Sequence, residues 1–197
     1  MRIIAGEFRG RKLLPPKGEV TRPITDRVKQ SVFDVLADLV PYAIVYDCFA
    51  GTGSLGLESL SRGASRVVFF ESDSSAAEIL RRNIKTVRVE DRSQVITADM
   101  FSALNKVRQP GANLLFLDPP YRYLTERSAD LQKLAAQLAA GHLLPDATVI
   151  FRRPSEVTLD LPPLGRYDQR VYGGMAVDFL KCPSIPTSSS PPPIPHG

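Results

Sequence analysis

The stretch Asp47-Cys48-Phe49-Ala50-Gly51-Thr52-Gly53-Ser54-Leu55-Gly56 decides how this chain is read. Before it, residues 43–47 form a short apolar run of the kind buried in parallel sheets. After it, residues 55–62 show helical spacing and stop at Gly63. A glycine-rich turn from a buried strand into a helix lets backbone approach a ligand, at the strand ends where open α/β sheets bind. Glu71 closes the next apolar run, 66–71, and stands where an acid can accept hydrogen bonds from ribose hydroxyls.

Working outward, strand-like runs recur at 94–97, 113–117 and 148–151. Between them lie helical patterns at 75–85, opened by a Ser75/Glu78 capping box, at 125–140, and a shorter one after Met100. Strand alternating with helix predicts an α/β fold with a doubly wound, mostly parallel sheet. Residues 166–172 and 175–181 flank Gly173-Gly174, a two-residue hairpin turn, so a seven-stranded sheet should end in an antiparallel hairpin. Upstream, residues 1–20 read as a small hairpin and loop. An amphipathic helix follows, with Thr25 as its cap, until Pro41. The chain therefore divides into an N-terminal extension, 1–40, a ligand-binding body, 41–182, and a tail, 183–197. With six prolines and four serines, that tail is expected to be disordered.

At 197 residues, 43% hydrophobic and 23% charged, the composition fits one folded domain and excludes wholesale disorder. No apolar run approaches the ~18 residues of a membrane span, and the first residues carry no apolar signal core. Cys48, Cys182, His142 and His196 show no metal-ligand spacing, so a reducing cytoplasm and no metal site are expected. The net charge of +4 is concentrated: residues 1–30 hold eight basic and three acidic side chains, the remainder 17 and 18. A polyanion-binding arm and a merely solvated basic terminus explain this equally well.

Two clusters point to chemistry. Asp47 beside the glycine turn would repel a pyrophosphate but attract a cationic amino group, such as the ammonium of S-adenosylmethionine. Asp99 can reach an adenine amine or cap the following helix, and Phe49 and Met100 can supply apolar contact. The second cluster, Asp118-Pro119-Pro120-Tyr121, follows the apolar run Leu114-Leu115-Phe116-Leu117. Two prolines remove backbone donors, leaving carbonyl oxygens and the Asp118 carboxylate as acceptors, while Tyr121 offers a ring for stacking. Such a set suits an exocyclic base amine, whose nitrogen must become tetrahedral to attack a methyl group. An ordinary turn with a surface tyrosine is the plain alternative.

Three motifs in register resemble one family: Met1-Arg2-Ile3-Ile4-Ala5-Gly6 with Arg9-Gly10-Arg11-Lys12-Leu13, then Arg22-Pro23-Ile24-Thr25-Asp26-Arg27, then residues 47–60. Over about residues 1–181 the chain is similar to the RsmD family of small-subunit rRNA guanine-N2 methyltransferases. The resemblance implies a Rossmann-like class I methyltransferase fold and S-adenosylmethionine as cofactor. It implies a 16S rRNA substrate, modified at guanine 966 within an assembling 30S particle, and a cytoplasmic monomer. On it, Asp47, Phe49, Gly51, Gly53, Glu71, Ser72, Asp99 and Met100 bind cofactor. Asp118, Pro119, Pro120 and Tyr121 hold the guanine amine, and Arg9, Arg11, Lys12, Arg22, Thr25 and Arg27 hold rRNA. This sequence departs from the family with Ile24 in place of Thr, and with Arg152-Arg153 where an acid is common. A DNA adenine-N6 or cytosine-N4 methyltransferase, a nicotinamide dehydrogenase and a non-catalytic RNA-binding module remain rival readings.

Overall fold

The computed structural model describes residues 1–16, 24–104 and 111–184. Arg22, and the expected tail beyond Ser184, lie outside the described residues. Chain order runs α1 (Asp26–Val35), β1 (Ile44–Cys48), α2 (Ser54–Ser61), β2 (Arg66–Glu71), α3 (Ser74–Val87), β3 (Ser93–Thr97) and α4 (Met100–Ala103). It continues through β4 (Ala112–Leu117), α5 (Tyr123–Glu126), α6 (Ser128–Gly141), β5 (Leu143–Pro154), β6 (Gly165–Tyr172) and β7 (Met175–Lys181).

The seven strands form one sheet in the order β3-β2-β1-β4-β5-β7-β6. Strands β1 to β5 pair in parallel, and β7 runs antiparallel to both β5 and β6. The inner strands are apolar on both faces because helices cover both. On one face Phe33, Leu57, Leu60, Phe69, Leu80 and Phe116 share a core. On the other, Tyr46, Phe70, Leu115, Leu131, Leu134 and Leu138 share a second. The chain winds outward from β1 to β3, then returns to place β4 on the opposite side of β1. This switch point opens a crevice between the carboxyl ends of β1 and β4.

The expected elements are present, with local corrections. The cap of α3 is Asp73, whose side chain accepts from the Ala76 N–H at 2.7 Å, rather than Ser75. The Asp73 N–H is itself held by Glu71 at 2.7 Å, which keeps Asp73 extended and puts Ser75 inside the first turn. The pattern at 125–140 resolves into α5 and α6, broken at Arg127 with φ −132°. Strand β5 is longer than 148–151 because it pairs with β7 from Thr148 to Pro154.

The N-terminal arm is bound into the body through α2. Ile4 and Lys29 donate to one oxygen of Glu58, at 2.8 and 3.1 Å, while Ala5 and Arg62 donate to the other, at 3.0 and 2.9 Å. A carboxylate has about four acceptor positions, so this one, 0% exposed, is saturated. The Lys29 ammonium is matched likewise: besides Glu58 it donates to the Arg2 carbonyl at 2.8 Å and the Ser54 hydroxyl at 3.3 Å. Next along the arm, Glu7 donates to the Ser61 carbonyl at 2.7 Å and Phe8 to the Ser61 hydroxyl at 3.0 Å. Gly6 sits between these ties with φ +82°, and a Cβ there would lie 1.8 Å from the Ser61 oxygen. The arm is thus a docked hairpin, with Ile3, Phe8 and Leu13 in the core.

A buried ion pair broken on one side leaves an uncompensated charge, at a cost of about 3–5 kcal/mol. Glu58→Ala should lose stability of that order in urea unfolding and expose the arm to trypsin at Arg9 to Lys12 while the body resists. An arm that stays protected in the variant would show that its apolar contacts alone hold it.

Candidate active site

Strands β1 and β4 deliver the two sequence clusters to one place. Cys48 pairs with Leu117, and the Asp118 N–H donates to the Cys48 carbonyl at 3.5 Å. Beyond Cys48 the chain turns left-handed at Phe49 and Gly51, with φ 63° and 54°. A Cβ on Gly51 would meet nothing within 4 Å, so open space lies over the loop at the crevice.

The loop amides are already spent. Gly51 donates to Glu71 at 2.7 Å, Gly53 to the Ala50 carbonyl at 2.9 Å, and Gly56 to Asp47 at 2.9 Å. A pyrophosphate site requires such N–H groups to point at the ligand. Here the three glycine amides are occupied, two of them by carboxylates whose charge would repel a pyrophosphate, which counts against the dinucleotide reading. The donor set suits a ligand rich in hydroxyls and amines. Glu71 uses its two oxygens on Gly51 and Asp73 and retains acceptor capacity for ribose hydroxyls. Ser72 is exposed beside it.

Asp47 is 2% exposed, below the loop, and braces the start of α2 through Gly56. Burial pushes its carboxyl up to about 7, against the Gly56 hydrogen bond, and the neighbouring Asp118 and Glu71 add to the rise. The charge read from sequence is therefore held in a desolvated position, and its loop-bracing role was not legible there. Asp99 does cap α4, accepting from Phe101 at 3.1 Å, and it is half exposed with Arg127 3.6 Å away. Met100 is 2% exposed and belongs to the core rather than to the crevice surface, because α4 packs it against the sheet.

Three rings form a cluster that sequence reasoning missed apart from Phe49. The Phe49, Phe101 and Tyr123 centroids are all 6.0 Å apart, and Arg127 lies 3.8 Å from the Phe101 centroid. They come from three separate connections, so no spacing rule joins them. In the acceptor motif, Pro119 is buried and Tyr121 is 37% exposed. The Pro120 carbonyl accepts from the Tyr123 N–H at 2.8 Å because the chain turns at once into α5, so one of its two lone pairs is already used. Asp118 is bound by Arg152, whose Nε donates to it at 2.6 Å. Arg153, one residue on, points to the other face and pairs with Asp178 at 2.6 Å.

The basic arm is less available than its charge count implies. Lys29 is buried, Arg2 pairs with Asp26 at 2.7 Å, and Arg11 donates to the Thr86 carbonyl at 2.8 Å. Thr25 spends its hydroxyl on capping α1. Arg9, Lys12 and Arg27 are exposed. Lys12 also lines a groove of about 750 Å³ with Leu13, Leu14, Arg82, Lys85 and Thr86, which contains no residue of the glycine loop or acceptor motif. Among the described residues no group of three or more His, Cys, Asp or Glu could hold a metal. Nor is any helix there long and apolar enough to cross a membrane.

A doubly wound sheet with its amides spent on carboxylates, and an Asp-Pro-Pro-Tyr turn across the switch point, defines a Rossmann-like methyltransferase. Solved structures agree. The Escherichia coli protein described as "Putative methyltransferase yhhF" superposes with TM-score 0.78 at 32% identity, covering 94% of this chain and 99% of that one. An RNA methyltransferase from Salinibacter ruber, solved with S-adenosyl-L-homocysteine, shares the fold at TM-score 0.63 and 22% identity, covering 86% of this chain and 100% of that one. The family is likewise definite. The model described as "Conserved hypothetical protein 95" matches residues 1–181, and the chain belongs to this family, the RsmD family. Ribosomal RNA small subunit methyltransferase D of Escherichia coli K12 is 40% identical over 122 residues, 62% of this chain and 61% of that protein. The Haemophilus influenzae protein of the same name is 40% identical over 134 residues, 66% of this chain and 69% of that protein.

The buried Asp47 carboxyl makes a prediction about stability. Its folded pKa, about 7, lies above its ordinary 3.8, so between those values the folded chain binds the extra proton and stability falls as pH rises. Asp47→Asn keeps an oxygen for Gly56 and removes the titration. The stability of the variant relative to wild type should rise by about 4 kcal/mol between pH 4 and pH 8 in urea unfolding, taking 1.36 kcal/mol per unit. Parallel curves would mean that Asp47 stays ionised in the fold.

Proposed function

We propose that this protein methylates the exocyclic N2 amine of a guanine in small-subunit rRNA, guanine 966 of the 16S molecule, with S-adenosylmethionine as methyl donor. The observation that carries the reading is the placement of Asp118-Pro119-Pro120-Tyr121 at the end of β4, hydrogen-bonded to the strand that bears the glycine loop. Methyl donor and amine acceptor are thereby brought to one crevice. The names of the Escherichia coli and Haemophilus influenzae relatives support rRNA as the substrate.

When bound, S-adenosylmethionine would supply an electrophilic sulfonium methyl, whose carbon the amine nitrogen would attack while the sulfur leaves as a thioether with the C–S electron pair, the amine proton being lost afterward. The chain's residues prepare that event. Glu71 and Ser72 take the ribose, Gly51 and Gly53 line the amino-acid end with Asp47 braced beneath them, and Asp99 with the Phe49 ring takes the adenine. Met100 acts from below as packing. Asp118 accepts a hydrogen bond from the amine and draws its nitrogen toward tetrahedral geometry, while Tyr121 stacks on the extruded base. Pro119 and Pro120 fix the turn that keeps both in place. Arg9, Arg11, Lys12, Arg22, Thr25 and Arg27 belong to the rRNA side of the molecule. Residues 1–40 serve as its RNA-binding extension and 41–182 as the methyl-transfer body. The substrate is the rRNA in an assembling 30S particle, met by a monomer in the cytoplasm.

Radiolabelled cofactor incubated with 16S rRNA, small-subunit particles or duplex DNA, followed by mapping of the labelled base, tests this directly. Label confined to DNA would establish an adenine or cytosine amino methyltransferase instead. Asp118→Ala should bind cofactor normally yet lose about 10²–10³ in single-turnover transfer, the usual effect of removing a preorganised partner of the transition state. Tyr121→Ala should weaken base capture by about 1–3 kcal/mol, with Tyr121→Phe tolerated. Near-wild-type transfer by Asp118→Ala would remove the acceptor mechanism.

The exposed arm residues predict a salt effect. Arg9→Ala with Lys12→Ala, leaving the docked Arg11 intact, should reduce the salt dependence of log affinity for rRNA by about 0.7 to 0.9 for each phosphate that is no longer neutralised. An unchanged slope would mean that other residues neutralise the phosphates.

A further inference from the structure

Arg152 is the residue of the crevice that the proposed chemistry has not used. It lies on β5, beside β4, where Leu117 pairs with Phe151, so Asp118 and Arg152 occupy the next positions on neighbouring strands. Side chains alternate along strands, and Phe116 and Ile150 share one core. Asp118 and Arg152, two positions on from them, therefore fall on that same face. Arg153 takes the opposite face and Asp178. The Arg152–Asp118 bond, 2.6 Å between side chains 12% and 17% exposed, is charge-assisted and partly shielded from water.

We propose that Arg152 is a positioning residue for methyl transfer, holding Asp118 as an oriented carboxylate so that its remaining acceptor capacity serves the target amine. This rests on the reading of Asp118 as amine acceptor. Among the described residues, Asp118 is faced by the Asp47 carboxyl from β1, with Glu71 beyond it at the end of β2, and by Arg152 from β5, whose guanidinium also feels Tyr121 of the turn. Burial pushes the Asp118 carboxyl above the usual range, and the Arg152 guanidinium pulls it back. A protonated Asp118 would turn one oxygen into a donor and leave only a neutral, weaker acceptor on the other, so its pull on the amine would fall. Arginine is suited to the task because it stays charged throughout the working pH range, and because its planar fork fixes a carboxylate in direction as well as charge. Met175 Sδ, 3.8 Å from the Arg152 Nη1, supports the far side of the guanidinium.

Arg152→Met preserves the stem and removes the charge, and Arg152→Lys restores charge without the fork. Both are made in the full chain. Carboxyl carbon NMR of aspartate-labelled protein, with the Asp118 signal assigned by its loss in Asp118→Asn, follows protonation without any substrate. In Arg152→Met the Asp118 midpoint should rise by a unit or more, and Arg152→Lys should restore most of the shift. Single-turnover transfer from about pH 6 to about pH 9 should then show the acid limb displaced upward. That displacement means about tenfold less transfer per unit below it and recovery above it, with cofactor affinity in calorimetry unchanged. An unmoved midpoint, or a loss of transfer by the same factor at every pH, would overturn the role of Arg152. A wild-type chain that methylates no guanine amine would defeat the functional reading before any variant is compared.

Discussion

The carboxylate of Glu58 is the constraint on which the arrangement rests. It is buried on α2, the helix that the glycine loop opens, and its four hydrogen bonds go to two arm amides, Lys29 of α1 and Arg62 of its own helix. Three chain segments, the arm, α1 and α2, are thereby referred to one point. An ion pair taken out of water costs more than it returns unless every donor and acceptor is used, and here both partners are saturated. The consequence is geometric. The arm, α1 and the glycine loop are tied together, so a ligand on the loop meets a frame braced by all three.

A second constraint is the crowding of carboxyl groups at the strand ends. Asp47, Glu71 and Asp118 come from three adjacent parallel strands, and each is partly or wholly desolvated. Burial pushes Asp47 and Asp118 toward the protonated form. The fold answers each differently: loop and helix amides bind Asp47 and Glu71, while a guanidinium from β5 binds Asp118. The first two solutions use up the amides that a phosphate would need. The same hydrogen bonds that stabilise the loop thus decide the class of ligand it accepts.

The fold was legible wherever the signal was local. Apolar runs marked the five parallel strands, Gly173-Gly174 marked the final hairpin pair, and Thr25 capped α1 as its position suggested. The errors were also local in origin. Ser75 and Asp73 are both good caps, and only the Glu71 contact across the turn selects between them. Pro120 looked like a wholly open acceptor until the turn into α5 used one of its two lone pairs. Glu58 carried a readable sign, a lone acid amid Leu55, Leu57 and Leu60, yet its partners Ile4, Ala5 and Lys29 are remote in sequence.

By itself, then, the sequence determined the alternation of strands and helices, the glycine loop, the Asp-Pro-Pro-Tyr turn and the family to which they belong. These depend on backbone propensity and on residue types a few positions apart. Tertiary structure alone decided which charges are available. It buried Lys29, tied Arg11 to α3, sank Asp47 beneath its loop and brought Arg152 to Asp118. Sheet register and helix docking set those distances, and an electrostatic interaction follows separation and burial in space rather than separation along the chain.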